Sequence, residues 1–148
     1  MKVLRPFPAL LLVALSFLLA GAARPAPAGE PMEIRLIVNG EALPAVLEDN
    51  PTSRDLASML PLTIRMSDYN RTEKTGKLPR ALSTEGAPDG FDPSAGDIAL
   101  YAPWGTFVIY YRDFVLSRGV IPLGRISSGV DKLAAMSGNF DITLERAR

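Results

Sequence analysis

The stretch GAPDGFDPSAGDIALYAPWGTFVIYYRDF, residues 86–114, contains two of the clearest strand signals in the chain. Ile98–Ala102 and Thr106–Tyr111 predict short strands, and residues 103–105 (Pro-Trp-Gly) are typical of the turn that joins them. The second strand, TFVIYY, carries apolar residues on both of its faces. We therefore expect the core to cover it on one side and a helix or a loop to cover it on the other.

An acid-rich loop precedes these strands. A calcium-binding loop alternates its acids closely, whereas Asp89 and Asp92 are three residues apart and Asp97 follows five residues later. Turn chemistry fits the loop better, because Asp and Ser side chains bond nearby backbone amides. We expect Asp97 to accept such bonds at the start of its strand, and we predict no metal site. A role at the rim of a ligand site stays open for the loop.

Alternation of apolar and polar residues predicts further strands elsewhere in the chain. These are Glu33–Val38, Leu43–Leu47, Leu62–Ser67, Val120–Ile126 and Phe140–Glu145. Residues 39–40 are Asn-Gly, the strongest short signal for a hairpin turn. Pro122 and Gly124 suit an edge strand or a bend. Between residues 68 and 97 the periodicity fades, and short strand pieces are expected only near Gly76–Leu82.

Two short helices complete the prediction. The first begins after the capping residue Asn50 and ends before Pro61. The second begins at Ser128, which resembles a capping box with Asp131, and it ends at Gly138. Seven or eight short strands with two short helices predict a mostly β fold. We expect a small closed β-barrel of about eight strands, with the helices capping its two open ends.

The N-terminal region predicts export. Residues 1–22 have the form of a signal peptide, because a short basic start precedes an apolar run over residues 9–20 and small residues allow cleavage after Ala22. The chain contains no cysteine, so it is not a lipoprotein. Residues 23–31 predict a flexible linker, and 32–146 the folded domain. We therefore expect a periplasmic or secreted protein with no stable membrane anchor after signal cleavage.

Composition excludes several classes of function. The chain has no histidine and no cysteine, which excludes a Ser-His-Asp triad, a thiolate nucleophile and a His/Cys zinc site. No glycine-rich nucleotide or dinucleotide fingerprint occurs, so no cofactor is predicted. Lys and Arg total 16 and Asp and Glu total 16, without the clustered basic charge that nucleic-acid binding requires. The chemistries that remain for a functional site are carboxylate chemistry, the charges of Lys or Arg, and binding by aromatic surfaces.

Three stretches of the chain, residues 48–63, 86–114 and 123–145, resemble the bacterial cyclophilin-like fold proteins. The resemblance implies an eight-stranded barrel capped by two helices, and it implies no settled activity. That family is distinct from the true cyclophilin prolyl isomerases, which use an Arg beside a groove lined with Phe, Gln, Met, Trp and His. Here the His is absent, and the R-x-x-x-F-x-x-Q pattern is not found around Arg112. Arg65 lies on a predicted strand from which it can point into a groove.

A ligand site on the side of the barrel should combine aromatic rings with a few charges. The candidate ligand-binding residues are Arg65, Glu73, Lys74, Glu85, Tyr101, Trp104 and Tyr111. Each has an ordinary structural alternative, because aromatic residues cover strands and charged residues of polar loops are solvated. No catalytic residue is assigned.

Three functions from different classes fit these observations. We favour a non-catalytic module that binds a small molecule or an extended peptide. A divergent peptidyl-prolyl cis/trans isomerase is the alternative. A carboxylate-based hydrolase or lyase that uses Glu73 or Glu85 is the second alternative.

Overall fold

The structure is a computed structural model, and it describes residues 29–148. The expected signal peptide (1–22) and most of the expected linker (23–31) lie outside the described residues. The first strand begins at Met32 and the last strand ends at Arg146. Within residues 29–148, no helix has the length and the apolarity needed to cross a membrane.

The described residues form a barrel of antiparallel strands. The strands are β1 (Met32–Val38), β2 (Glu41–Leu47), β3 (Leu62–Tyr69), β4 (Glu73–Lys77), β5 (Gly90–Phe91), β6 (Asp97–Tyr101), β7 (Thr106–Tyr110), β8 (Ser117–Arg118), β9 (Val120–Ile126) and β10 (Phe140–Arg146). The helices are α1 (Pro51–Ala57), α2 (Val130–Ala134) and a 3-10 turn at Ala102–Trp104. The barrel closes in the order β1-β10-β3-β4-β7-β6-β9-β2, while β5 and β8 pair as a separate ribbon. The predicted closed barrel of eight strands with two short helices is confirmed.

The hairpin between β1 and β2 forms where the sequence predicts it. Asn39 and Gly40 have φ values of 50° and 79°, the left-handed conformation that a two-residue hairpin turn requires. The turn fixes the register, so that Val38 pairs with Glu41 and Met32 pairs with Leu47. Alternate residues of the strands then point inward into one apolar core.

The two helices cap opposite ends of the barrel. α1 lies where β10 ends, and the carbonyl of Ala57 there accepts a hydrogen bond from Arg146. Its N-cap is Asn50, whose Oδ1 accepts from the Ser53 amide at 2.8 Å, as predicted. α2 lies where β10 begins and buries Leu133 completely.

The start of α2 differs from the prediction. Its N-cap is Gly129, with φ at 91°, and no side chain caps the helix. The capping box expected from Ser128 and Asp131 is therefore wrong. Gly129 lies so close to Leu43 that a Cβ there would approach the Leu43 Cδ2 to 2.8 Å. Close packing against β2 and a left-handed backbone both select glycine at this position.

β9 is bent and lies inside the barrel wall. It pairs with β6 on one side and with β2 on the other, so the prediction of an edge strand is wrong and that of a bend is right. The pairing shifts between Ile98↔Gly124 and Ala99↔Pro122, which leaves Leu123 as the extra residue of a bulge. The bulge holds α1 against β9 by hydrogen bonds. The Leu123 carbonyl accepts from the Glu48 amide at 2.9 Å and from the Ser53 hydroxyl of α1 at 2.8 Å.

The TFVIYY strand is covered on both faces, as predicted. Phe107 and Ile109 of β7 belong to the barrel core. Val108 and Tyr110 point outward into a second apolar cluster, against which Phe91 of the β5–β8 ribbon packs. The loop that contains this ribbon therefore covers part of the outer face of the barrel.

β4 lies earlier in the chain than predicted. The sequence predicted strand pieces only near Gly76–Leu82, whereas the strand is Glu73–Lys77. Its two inward positions are Lys74 and Gly76, both buried. A Cβ on Gly76 would lie 2.4 Å from the Ile64 Cγ2 and 2.6 Å from the Met66 Sδ. An ion-paired lysine and a glycine replace the apolar residues whose alternation normally marks a strand.

Candidate functional site

A groove of about 620 Å³ runs along the outer face of the barrel. Its floor is formed by outward-facing residues of β3, β4, β6, β7 and β9, and the chain around β8 forms one wall. Four of the seven predicted site residues line it, namely Arg65, Glu73, Tyr101 and Trp104. Strand alternation brings Arg65, Glu73 and Tyr101 to this face, because each side chain of a β-strand points to the face opposite that of its neighbours, and the 3-10 turn supplies Trp104.

Strand register defines two ends of the groove. At one end Glu73 of β4 pairs with Tyr69 of β3 and with Tyr110 of β7. At the other end Lys77 of β4 pairs with Thr106, which pairs in turn with Tyr101 of β6. Along β4 the groove therefore extends from Glu73 to Lys77, and across the sheet its lining extends from β3 to β9.

Glu73 is a half-buried carboxylate inside the groove. Its side chain makes no hydrogen bond and no ion pair with any residue of 29–148. Burial, together with the negative charge of Asp68, raises the pKa of Glu73 to about 6. The carboxyl therefore changes its charge just below neutral pH.

Tyr110 lies directly opposite Glu73 and is almost completely buried. Burial raises the pKa of its phenol, and the charge of Glu73 raises that pKa further. The phenol thus remains protonated and available as a hydrogen-bond donor at this end of the groove.

Three aromatic rings form the rim. Trp104 is 56% exposed. Its ring meets Tyr101 edge-on with centroids 5.1 Å apart, and it meets Tyr69 edge-on at 6.2 Å. The 3-10 turn holds Trp104 there, and it closes at Gly105 with φ at 59°. Partly exposed aromatic rings combine an apolar face with a polar tip and so suit contact with a ligand.

Positive charges line the groove away from Glu73. The Arg65 guanidinium lies 3.1 Å from Asp141, so it already has a carboxylate partner. The Lys77 ammonium donates to the Trp104 carbonyl. Arg118 of β8 makes no side-chain hydrogen bond and no ion pair within residues 29–148.

Lys74 and Tyr111 lie outside the groove lining, in a network beneath α2. Lys74 is 1% exposed, and its Nζ lies 2.8 Å from the Asp68 Oδ1 and 2.7 Å from the Met136 carbonyl. The Tyr111 hydroxyl donates to the same Asp68 oxygen at 2.6 Å, and the Lys74 ammonium lies 5.0 Å from the Tyr111 ring. Every charge in the network has a partner, which indicates a structural role.

The pKa values in this network follow from its hydrogen bonds. The Lys74 ammonium, and then the Tyr111 hydroxyl, lower the pKa of the Asp68 carboxyl by stabilising its charged form. Burial and the hydrogen bond to Asp68 raise the pKa of Tyr111 to about 12.

The acid-rich loop that contains Glu85 lies outside the groove lining. Glu85 is exposed and does not line the groove. Asp97 is nearly buried; its Oδ2 accepts from the Ser94 amide at 2.7 Å, and its Oδ1 pairs with Arg125. Within residues 29–148, no group of three or more potential metal ligands comes together.

Sequence reasoning missed several residues of the groove. Tyr69 and Tyr110 follow from strand alternation, since they share faces with Arg65 and Val108 respectively. Phe114 and Arg118 carry no such signal. Their position depends on the pairing of β5 with β8, each only two residues long.

Comparison with known proteins identifies a family and a solved structure that are similar to this chain. The model of the Cyclophilin-like family matches residues 36–145, which include most of the barrel. The solution structure of the hypothetical protein AF2241 from Archaeoglobus fulgidus is similar, with a TM-score of 0.64 and 19% sequence identity over 82% of this chain and 99% of that chain. At this identity the likeness shows the fold alone. No curated protein matches the chain. The family match over residues 36–145 shows that this chain belongs to the Cyclophilin-like family.

Proposed function

We propose that the protein is an exported, non-catalytic binding module that takes a small molecule or an extended peptide in the groove along β4. The observation that carries the proposal is Glu73, a half-buried carboxylate in a cavity of about 620 Å³ that makes no hydrogen bond or ion pair within residues 29–148. Ligand sites typically have volumes of about 300–1,000 Å³ and combine apolar walls with a few polar groups. Burial without a partner costs free energy, so a ligand that supplies the partner gains affinity there.

The shape of the groove favours an elongated ligand. Its lining extends over neighbouring strands from β3 to β9, and Trp104 lies between Tyr69 of β3 and Tyr101 of β6. Such rings combine an apolar face with a polar tip, and they bury large areas on contact at a low cost in conformational entropy.

The experiment is a thermal-shift screen of small molecules and short peptides on residues 23–148. Since the barrel closes within residues 32–146, this sample contains the whole folded unit. A ligand that fits should raise Tm in the unmodified protein and lose that effect in Trp104→Ala. Leu116→Ala is the matched control, because Leu116 is 70% exposed and does not line the groove. The proposal fails if no compound raises Tm, or if every shift survives in Trp104→Ala.

A divergent prolyl isomerase is the second candidate, and the position of Arg65 favours it. Arg65 projects from β3 into the groove, where it can reach the carbonyl of a bound peptide. Its ion pair with Asp141 competes with that role. Arg112, the other arginine considered from the sequence, does not line the groove.

A carboxylate-based hydrolase or lyase is the third candidate, and the environment of Glu73 favours it. A carboxyl with a pKa of about 6 is suited to general acid–base catalysis near neutral pH. Glu85 lies outside the groove and lacks that environment. An activity that depends on Glu73 would show a limb near pH 6 in its pH–rate profile, and an activity without that limb would exclude the mechanism.

A further inference from the structure

The groove carries opposite charges at its two ends. Glu73 stands at the end where β4 pairs with Tyr110, and Lys77 stands at the end where β4 pairs with Thr106. Arg118 belongs to the Lys77 end, because Gly119 next to it lies against Tyr101, and Tyr101 pairs with Thr106.

Both ends have unused capacity to bind a charged group. Glu73 has no hydrogen bond or ion pair within residues 29–148. The Lys77 ammonium has three donors, of which the Trp104 carbonyl takes one. Arg118 has no carboxylate partner in the described part of the chain, whereas Arg65 is already paired with Asp141.

The spacing of these charges defines a ligand length. Four residue steps separate Glu73 from Lys77, which places their Cα atoms about 13 Å apart at ~3.3 Å per residue. An extended chain spans ~3.3–3.6 Å per residue, so a peptide of three or four residues extends about 10–14 Å.

The region between the charged ends carries no charge on β4 or β7 and combines the hydroxyls of Ser67 and Thr75 with two valines. Thr75 pairs with Val108 at the middle of β4, and Val108 is buried together with Val120 of β9. Both valines line the groove. An apolar side chain at the centre of a short peptide would lie against this floor.

We infer that the groove takes a short extended peptide of three or four residues with free ends, whose ammonium lies at Glu73 and whose carboxylate lies at Lys77 and Arg118. This inference rests on the proposed function, because it names the ligand class of the same groove. Peptides with blocked or internal termini lack the charges that the two ends are built to receive.

The test uses the tripeptide Ala-Leu-Ala in four forms: free, N-acetylated, C-amidated and blocked at both ends. Trp104 is the only tryptophan in the chain and stands on the rim of the groove, so its fluorescence reports binding at this site. We expect the free peptide to bind tightest and each blocked end to weaken binding about fivefold, the upper range for an exposed ion pair.

Charge-removing variants assign each end. In Glu73→Gln, the effect of N-acetylation should disappear while the effect of amidation remains. In the double variant Lys77→Met and Arg118→Met, the effect of amidation should disappear while the effect of N-acetylation remains. Glu85→Gln is the matched control and should leave all four affinities unchanged, because Glu85 is exposed and lies outside the groove.

The outcomes separate this inference from the proposed function. Equal binding of the four peptides would overturn the charge assignment and leave the groove as a binding site. The same holds if no peptide changes the fluorescence while another compound raises Tm in a manner that depends on Trp104. If neither peptides nor other compounds bind, the inference and the proposed function both fail.

Discussion

Glu73 and Tyr110 face each other across the β4–β7 pair and share the same end of the groove. The carboxyl has a pKa raised to about 6 by burial and by Asp68. The phenol has a raised pKa because it is buried and lies near Glu73. Both groups therefore favour their neutral forms, and an ionised Glu73 costs the folded state free energy.

Glu73→Gln should stabilise the protein at pH 7.5. Because the folded protein binds this proton more tightly than the unfolded chain, the contribution of Glu73 to stability is fully present below pH 4.5 and is lost as the pH rises through about 6. Solvent screening reduces the effect to about 1 kcal/mol. We expect Tm to rise by about 4 °C at pH 7.5 and to change little at pH 4.

The control for this prediction is Glu85→Gln, which removes the charge of an exposed glutamate outside the groove. Its Tm should follow that of the unmodified protein at both pH values. An equal Tm gain for Glu73→Gln at pH 4 and pH 7.5 would show that the glutamine packs better and that the charge is not the cause.

Gly124→Ala should destabilise the barrel through a backbone clash. A Cβ at this position would lie 2.0 Å from the Val46 carbonyl oxygen and 2.8 Å from the Leu47 Cα. Both atoms belong to β2, which pairs with β9 at this point, so relief requires the strands to separate. We expect a loss of about 3 kcal/mol in the free energy of unfolding, measured by urea titration.

Gly138→Ala separates steric clash from backbone strain. Gly138 has φ at 70°, with nothing within 4 Å of a Cβ placed there. Its alanine variant should lose about 1 kcal/mol, the cost of a left-handed backbone for a residue with a side chain. A loss at Gly124 no larger than this would argue against the close approach of β9 to β2.

Lys74→Met should destabilise the fold even though methionine is uncharged and similar in size. The change removes hydrogen bonds to Asp68 and to the Met136 carbonyl, and it leaves a partly buried acceptor without a donor. We expect a loss of about 2 kcal/mol at pH 7. Lys77→Met on the same strand is the control and should change stability by less than about 0.5 kcal/mol, since Lys77 is exposed.

The decrease in the free energy of unfolding at acid pH, the acid limb of the stability profile, gives a second test of the role of Lys74. The pKa of Asp68 is lowered chiefly by Lys74, so its contribution is present above the ordinary carboxyl pKa and is lost as the pH falls through the lowered value. Lys74→Met should therefore lose less stability than the unmodified protein between pH 5 and pH 2. An unchanged acid limb would mean that the Tyr111 hydroxyl and the Arg71 amide, and not Lys74, lower the pKa of Asp68.

Local patterns explain how much of the fold could be predicted. The Asn39–Gly40 turn, the Asn50 cap and the alternation in β3 and β10 each depend on residues close in sequence. β4 escaped prediction because its inward positions are Lys74, neutralised by Asp68, and a glycine. Both are explained only by contacts that the closed barrel creates.

The residues of the candidate site also differ in whether local sequence patterns reveal them. Arg65, Tyr101 and Trp104 could be identified because they lie on or beside strands with readable alternation. Arg118 could not, since it reaches the groove only through the pairing of Gly90 with Arg118 across 27 intervening residues. Pairing between two-residue strands leaves no periodic signal in either segment.

A prolyl cis/trans assay on residues 23–148 distinguishes the binding module from the isomerase. We expect no acceleration over the uncatalysed rate, because the Arg65 guanidinium is held by Asp141 and the chain has no histidine. Uncatalysed isomerisation crosses a barrier of ~18–20 kcal/mol, so even weak catalysis would be measurable. Acceleration that is lost in Arg65→Ala and retained in Arg112→Ala would make Arg65 the catalytic residue and would overturn the non-catalytic proposal. Acceleration that survives in both variants would place the activity elsewhere than at these two arginines.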